Sequence, residues 1–414
     1  KANNELANYY RLSPNITANT ADFDTTWSLF FAVINHSNTL IHKTVLPENA
    51  DQAKKFEEVL GEAYFLRGLS YFYLVRMYGD VPLILAETDA STYMPRTAVA
   101  EIYDQAIIPS LKKAVEILPA KSRSGFSSTP SKWASEACLA DTYMTMACWP
   151  LKRGQEYYSL AAAAAKDIID NSGLYLTEEY AELWKEANKA QPNEVMFAIH
   201  HNAKMKTASN YGKSYYPSDF APNAGWSDYY ANESFFLNYP DDARKEWNYM
   251  TEWETKNGHV TYKESADKLP AISKYYDYDN GAPGKSAQAN GITCIYRYAD
   301  VLLMYAEAST RATNSVNAQA LDAIQKVQKR AGYAQDQLTT TTDPTAFTTA
   351  VFNERGWEFF AEMKRWFELV RLEKVSEVRA ETWNGSLFQS NNHYYFPIPY
   401  QQIRLTQWTN NAGY

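Results

Sequence analysis

Cysteine is scarce in this chain: Cys138, Cys148 and Cys294 are the only three in 414 residues. Cys138 and Cys148 fall within one helical pattern, where ten residues at about 1.5 Å each set them roughly 15 Å apart, too far for a disulfide. Buried small hydrophobes is the reading for all three. Long apolar runs are also missing, and no stretch approaches the roughly 20 residues of a spanning helix. Residues 1–10 show no leader pattern, which leaves open a cytosolic protein or a chain that begins after a removed leader. Basic clusters are absent too. Lys and Arg number 40 against 48 Asp and Glu, a net charge of −8. A nucleic-acid binder presents a basic face, so nucleic acid is excluded as a partner.

The motifs that carry common chemistry are missing as well. There is no phosphate-cradling P-loop, dinucleotide-binding glycine fingerprint, Gly-x-Ser-x-Gly elbow or His-Glu-x-x-His pair. His200 and His201 are neighbours on a predicted strand and point to opposite faces. His36 and His42 stand six apart, a poor ligand spacing on a helix. The carboxylate doublets Glu57/Glu58, Glu178/Glu179 and Asp241/Asp242 diverge on either kind of element. The expectation is a protein with no catalytic residues, no metal and no cofactor.

What the chain does have is helical periodicity. Phe56, Val59, Leu60, Ala63, Leu66, Ser70, Tyr73, Leu74 and Met77 recur at three- and four-residue steps over 51–80. Gly79-Asp80 and Pro82 then close the helix. Further helices are predicted over 98–118, with a kink at Pro109, over 131–148 and over 156–170. After a short strand at Val195–His200, helices return at 297–312, 317–331 and 346–374. The last of these carries Phe359, Met363, Trp366, Phe367 and Val370 along one side, with Trp366 and Phe367 expected in the core. Pro397 and Pro399 predict an extended tail over 394–414. The helices come in pairs, which predicts a mainly α fold: a tetratricopeptide-like helical-pair scaffold with a large irregular, loop-rich insertion and few short strands. One domain is expected over 1–414, with scaffold at 51–195 and 292–375, the loop-rich region at 196–291 and the tail at 376–414.

The insertion holds the chain's second unusual feature. Fourteen of the 52 residues from Tyr211 to Tyr262 are aromatic, against 15% overall, and no regular period lays them on one buried face. Phe235, Phe236 and Trp247 are expected to pack the loops down. Others can form a stacking platform, since Tyr and Trp suit surfaces that are part apolar and part wet. Trp226, Asp228, Tyr229 and Tyr230 follow the turn-prone Pro222-Asn223-Ala224-Gly225. They form the lead candidate, with Asn223, Tyr215 and Tyr216 beside them. Asp242 and Arg244 read as a structural turn. Arg67, Arg365 and Arg371 read as ion-pairing groups between helices, with Glu62 or Glu358 as partners.

Several blocks occur in a fixed order: EAYFLRGLSYFYLVRMYGDVPLI at 62–84, PRTAVAEIYDQAIIPSLKKAVEILP at 95–119, SKWASEACLADTYM at 131–144, NEVMFAI at 193–199, RYADVLLMYAEA at 297–308, NERGWEFFAEMKRWFELVR at 353–371 and the tail from YYFPIPYQQIRL to NNAGY. Together they resemble the SusD/RagB family from about residue 50 to the end. Glu368, Trp357 and Ala412 depart from the usual residues. The resemblance implies a non-enzymatic outer-membrane lipoprotein at the cell surface, held by a lipid anchor outside this sequence. It further implies an oligosaccharide ligand, delivery to a SusC-like TonB-dependent transporter, and a contribution to the ligand face from the segment around Asp22 and Phe23. Two alternatives stand beside glycan capture: peptide capture of the RagB type, and a tetratricopeptide-like protein–protein scaffold. The scaffold reading requires the aromatic loops, Trp226 included, to be buried.

Overall fold

The computed structural model describes residues 16–87, 94–190, 193–221, 224–275, 290–377 and 393–414. Asn223 lies outside them. Helix α1 (Ala21–Lys43) buries Phe23, Trp27 and Ile34 against α2 (Ala50–Tyr78). The Asn49 side chain caps α2 by accepting from the Gln52 N–H at 3.0 Å, and Gly79 ends it with φ of 71°, a conformation that favours glycine. Asp80 then accepts from the Val99 N–H at 2.9 Å, so the predicted turn also caps the following helix. Strand β1 (Val81–Pro82), just after that turn, pairs antiparallel with β2 (Arg96–Thr97).

The predicted 98–118 helix is built as α3 (Val99–Ile102), a π turn (Tyr103–Ile107) and α4 (Ile108–Ile117). Pro109 can donate no hydrogen bond and crowds the preceding turn. The wider turn, in which the Ile108 N–H reaches back to the Tyr103 carbonyl, takes up that strain just ahead of it. Helices α5 (Lys132–Ala147) and α6 (Gln155–Asn171) form the next pair. Strand β3 (Val195–His200) stands where it was predicted.

Among the described residues of the loop-rich region, the helices and strands are all short. They are α7 (Tyr211–Tyr215), α8 (Glu233–Leu237), α9 (Ala243–Asn248), β4 (Tyr249–Met250), β5 (Glu252–Thr255), β6 (Gly258–Thr261) and β7 (Ala271–Ile272). It ends at β8 (Ile292–Arg297), which pairs antiparallel with β3 from Val195↔Arg297 to His200↔Ile292. This ribbon brings the two ends of the insertion together at a narrow neck. The chain then enters α10 (Tyr298–Thr313), which is buried along most of its length, followed by α11 (Ala318–Ala331) and α12 (Pro344–Glu358).

Three sequence expectations need correction. The helix predicted over 346–374 is broken after Glu358 and resumes only as α13 (Arg365–Arg371). Ala361 and Met363 between the two take positive φ of 59°. Side-chain donors claim the carbonyls that would have continued the helix. Arg297 donates to the Glu358 carbonyl, Lys274 to that of Phe360 and Tyr275 to that of Ala361, at 2.8, 2.7 and 2.9 Å. Second, Trp366 and Phe367 are only half-buried. Trp366 stacks on Phe396 at 6.1 Å and packs at the edge of a small cluster with Leu369, Val370 and Tyr394. Third, the tail is not wholly extended: α14 (Tyr400–Thr406) follows Pro399, whose fixed φ suits the start of a helix as well as it forbids the middle of one.

The arginines are structural, with partners other than those expected. Arg67 bonds Ser110 and Asn38, while Glu62 pairs with Arg123. Arg365 meets Glu368, which also accepts from Arg355. Arg371 grips Glu307 through two bonds of 2.8 and 2.6 Å, and Arg311 adds a third at 2.9 Å. Burial alone would raise the Glu307 carboxyl, but Arg371 and Arg311 outweigh it and hold it at about 2 against an ordinary 4.5. A carboxyl depressed in the folded state stabilises the fold above its unfolded pKa. That contribution, present above about pH 4.5, is lost as pH falls towards 2. Glu307→Gln is therefore expected to cost about 3 kcal/mol at pH 7. In urea melts from pH 7 to pH 2.5 the gap between variant and wild type should close on the acid side; a gap of constant size would show that the ion pair is not its source.

Candidate functional site

Two backbone segments of the insertion lie side by side. The N–H groups of Gly225, Trp226, Ser227 and Asp228 donate to the carbonyls of Pro217, Lys213, Tyr216 and Ser214, at 2.8 to 3.0 Å. Gly225 is required by this approach: a Cβ there would stand 2.2 Å from the Tyr216 carbonyl oxygen. Ser227 adopts φ of 51°, and its hydroxyl accepts from the Ser218 N–H at 2.7 Å. The chain is thereby folded back so that Trp226 and Tyr229 face outwards, 47% and 43% exposed.

Behind Tyr229 stands a stack. Tyr215 lies 5.4 Å from Tyr229 and 6.0 Å from Tyr211 between ring centroids. Tyr275, which is buried, stacks on Tyr215 at 5.9 Å and leans on Tyr211 at 5.1 Å. The Tyr211 hydroxyl donates to the Met363 sulfur at 3.3 Å, and Lys213 sits over the Trp226 ring at 4.9 Å. Burial, then the charges of Asp228 and Asp22, push the Tyr229 phenol above its ordinary range. Asp22, at the start of α1, thus acts on the same face although some two hundred residues separate it from Tyr229 in sequence. The phenol stays protonated and able to donate at neutral pH.

The predicted residues divide accordingly. Tyr229 and Tyr215 come together, with Asp228 and Asp22 within electrostatic reach of the Tyr229 phenol, and Trp226 stands exposed on the same backbone turn. Tyr230 is half-buried and engaged with Ser227 and Asp267. Tyr216 and Phe23 leave the candidate surface, being only 2% and 4% exposed. Tyr216 packs against Phe220 beneath the loop. Phe23 stacks on Phe396, and its carbonyl accepts from the Tyr78 hydroxyl. Tyr211 belongs to the stack and was not singled out. Its four-residue spacing from Tyr215 is a helical i, i+4 pair, a signal readable once a single helical turn is admitted there. Phe236 is buried, while Phe235 and Trp247 are partly so, all three packing the loops. Arg244 is wholly buried, paired with Asp242, Glu354 and Glu358.

Among the described residues, no group of three His, Cys, Asp or Glu side chains is placed to hold a metal ion. The arrangement is suited to stacking: aromatic faces ringed by hydroxyl, carboxylate and amine groups that can exchange hydrogen bonds with a polar ligand.

Paired helices carrying an irregular, aromatic-rich insertion on a two-stranded neck define the class of SusD-like proteins. The SusD family profile matches residues 193–414, more than half of the sequence, and a second profile, described as starch-binding and associating with the outer membrane, matches residues 2–144. The chain belongs to the SusD family. It is 28% identical to SusD-like protein P2 of Formosa agariphila, over 94% of this chain and 80% of that one. A SusD superfamily protein from Parabacteroides distasonis superposes with a TM-score of 0.83 at 25% identity, covering 96% and 87% of the two chains. A laminarin-binding SusD-like protein shares the fold at a TM-score of 0.79 and 22% identity, over 97% and 87% of the chains. A structure with xylogluco-oligosaccharide does so at 0.77 and 21%, over 95% and 88%.

Gly225→Ala tests the local architecture. The added Cβ must displace the Tyr216 carbonyl, at a local cost of about 1–3 kcal/mol. In hydrogen exchange the amides of residues 225–229 should lose protection while those of α10 keep theirs. Unchanged protection at 225–229 would mean that the loop does not depend on this close approach.

Proposed function

We propose that this protein captures glycans at the cell surface without chemically altering them, and passes them to a SusC-like TonB-dependent transporter in the outer membrane. The observation that carries the reading is the outward-facing Trp226–Tyr229 pair, backed by the Tyr215–Tyr211–Tyr275 stack. Sugar rings present flat C–H faces that dock on aromatic faces. Their hydroxyls need partners such as Asp228, Asp22 and the Tyr229 phenol. The laminarin-binding and xylogluco-oligosaccharide-bound structures of the same fold support a glycan as the ligand class. The outer-membrane description of the matched profile supports the location. No helix among the described residues is long and apolar enough to cross a membrane, and a lipid anchor outside this sequence would supply the attachment. Exposure of Trp226 weighs against a protein–protein scaffold with buried loops.

Calorimetry against a panel of neutral and acidic oligosaccharides, with peptides as a parallel arm, tests the ligand class. Chromatography of the same mixtures tests for bond cleavage. Saturable glycan binding without new products is expected; product formation would overturn the non-enzymatic reading, and binding confined to peptides would overturn the glycan. Trp226→Ala should weaken glycan binding by about ten- to a hundredfold, the loss of one stacking ring at roughly 1–3 kcal/mol. Its thermal midpoint should fall by only a few degrees, because about half of the residue is already open to solvent. A large fall in melting temperature with unchanged affinity would make Trp226 a packing residue. For the partner, co-purification from mildly solubilised outer membranes should recover a TonB-dependent transporter; repeated recovery of this protein alone would count against a stable complex.

A further inference from the structure

The buried partner of the platform leads to a second surface. Tyr275 touches the platform rings on one side and meets Trp184 edge-on at 5.8 Å on the other. Leu183, next to Trp184, lines a hollow of about 410 Å³ bounded also by Tyr175, Glu178, Glu182, Asn188 and Lys189. A second hollow of about 190 Å³ adjoins it at Val195 and is lined by Phe126, Trp133, Ser122, Ser131 and Leu174. Tyr175 is 56% exposed and Phe126 46% exposed. They are the large rings left open at the two hollows, in a part of the fold where almost every other ring is covered.

Both rings are held in place by their backbones. The loop bearing Phe126 is tied by Ser122 to the Phe126 carbonyl at 2.8 Å and by Ser124 to Thr129 at 2.7 Å. It docks on β3 where the Ala198 N–H donates to the Ser127 carbonyl. The Tyr175 segment docks on the same strand's approach, through the Tyr175 N–H to the Asn193 carbonyl and the Thr177 N–H to Glu194. At about 3.3 Å per residue the two anchors are roughly 15 Å apart, a span that several linked sugar rings cover. The floor of the larger hollow is fixed by Asn188 donating to Glu182 and by Lys189 donating to the carbonyls of His201 and Asn290. The larger hollow has the volume of a small-molecule site, and its lining is mostly polar, with Tyr175, Leu183, Val195 and Ile292 as the apolar part, a mixture that can meet both the hydroxyls and the C–H faces of sugars.

We infer that the cleft from Phe126 to Tyr175 is a second glycan-binding site, set behind the platform across the Trp184–Tyr275 layer, that engages another stretch of the same polysaccharide. Its polar edge, with the Glu178 carboxylate beside a Glu182 already engaged by Lys185 and Asn188, suits the hydroxyl groups of neutral sugars. The inference rests on the glycan-capture reading. Two sites on one polymer raise overall affinity by making the second contact intramolecular.

The test uses the whole protein with laminarin and xyloglucan as polymers, and short oligosaccharides of each, in affinity electrophoresis and calorimetry. Phe126→Ala/Tyr175→Ala should bind the polymer about tenfold more weakly, while its affinity for short oligosaccharides at the platform changes less than about twofold. Trp226→Ala/Tyr229→Ala should keep weak polymer binding that the fourfold variant lacks. Both cleft residues are about half exposed, so the thermal midpoint should fall by only a few degrees. If Phe126→Ala/Tyr175→Ala binds polymer as wild type does, the second site is overturned and the platform reading stands. If wild type binds neither polymer nor any short oligosaccharide, both readings fall.

Discussion

The structure depends on one buried network of charges. Arg297, at the junction of β8 and α10, donates to Glu194, Glu358 and Glu362. Arg244 from the insertion reaches Glu354 and Glu358. Lys274, also from the insertion, bonds Glu362 at 2.7 Å, and Arg330 of α11 joins Glu194 and Glu358. All of these side chains are almost fully covered. Removing such ions from water costs several kcal/mol each, and only good geometry with the remaining donors and acceptors satisfied offsets it. The network is therefore demanding about position. It ties two helices of the scaffold, the end of one neck strand, the residue leading into the other and two separate segments of the insertion to a common point.

That demand reaches the candidate site through the broken helix. Because the carbonyls of residues 358, 360 and 361 are taken by Arg297, Lys274 and Tyr275, α12 stops and Met363 is turned outwards, 51% exposed. Met363 then receives the Tyr211 hydroxyl, and Tyr275 supports Tyr211 and Tyr215. Burial lowers Lys274 to about 8, against the opposing pull of Glu362. The group that props this turn is thus itself held at a price in solvation. A long regular helix would have offered no such turn, and the rings would have lost their backing.

Much of the scaffold was legible because helix boundaries obey local rules. Asn49, Gly79, Asp80 and the residues around Pro109 act where capping and backbone preferences place them. The break after Glu358 was hidden, since Phe359, Met363 and Trp366 keep helical spacing; what ends the helix is three donors distant in sequence. For the same reason Arg371 was recognisable as an ion-pairing group while its partner Glu307 was not, and Arg67, read the same way, instead bonds the neutral side chains of Ser110 and Asn38. In the insertion, aromatic density marked a region where Trp226 and Tyr229 stand exposed, just after the predicted turn. Density could not separate Tyr215 from Tyr216. Those neighbours differ because the Tyr216 carbonyl lies under Gly225 and its ring packs on Phe220, a matter of how two segments meet. Phe23 carries the same lesson: its place beside Asp22 on a helix turns one side chain to the surface and the other into the core.

The form of the platform bears on the kind of glycan proposed for it. Trp226 and Tyr229 are held by backbone bonds to residues 213–217, and the rings behind them are stacked before any ligand arrives. Little side-chain freedom is then left to lose on binding, which otherwise costs about 0.5–1.5 kcal/mol for each immobilised side chain. The rings also form an open face. An enclosed cavity accepts a chain end, whereas an open face can receive a segment from the middle of a polymer. For a capture protein that meets long polysaccharides, internal segments far outnumber ends, so a rigid open face raises the number of productive encounters per chain without requiring prior cleavage.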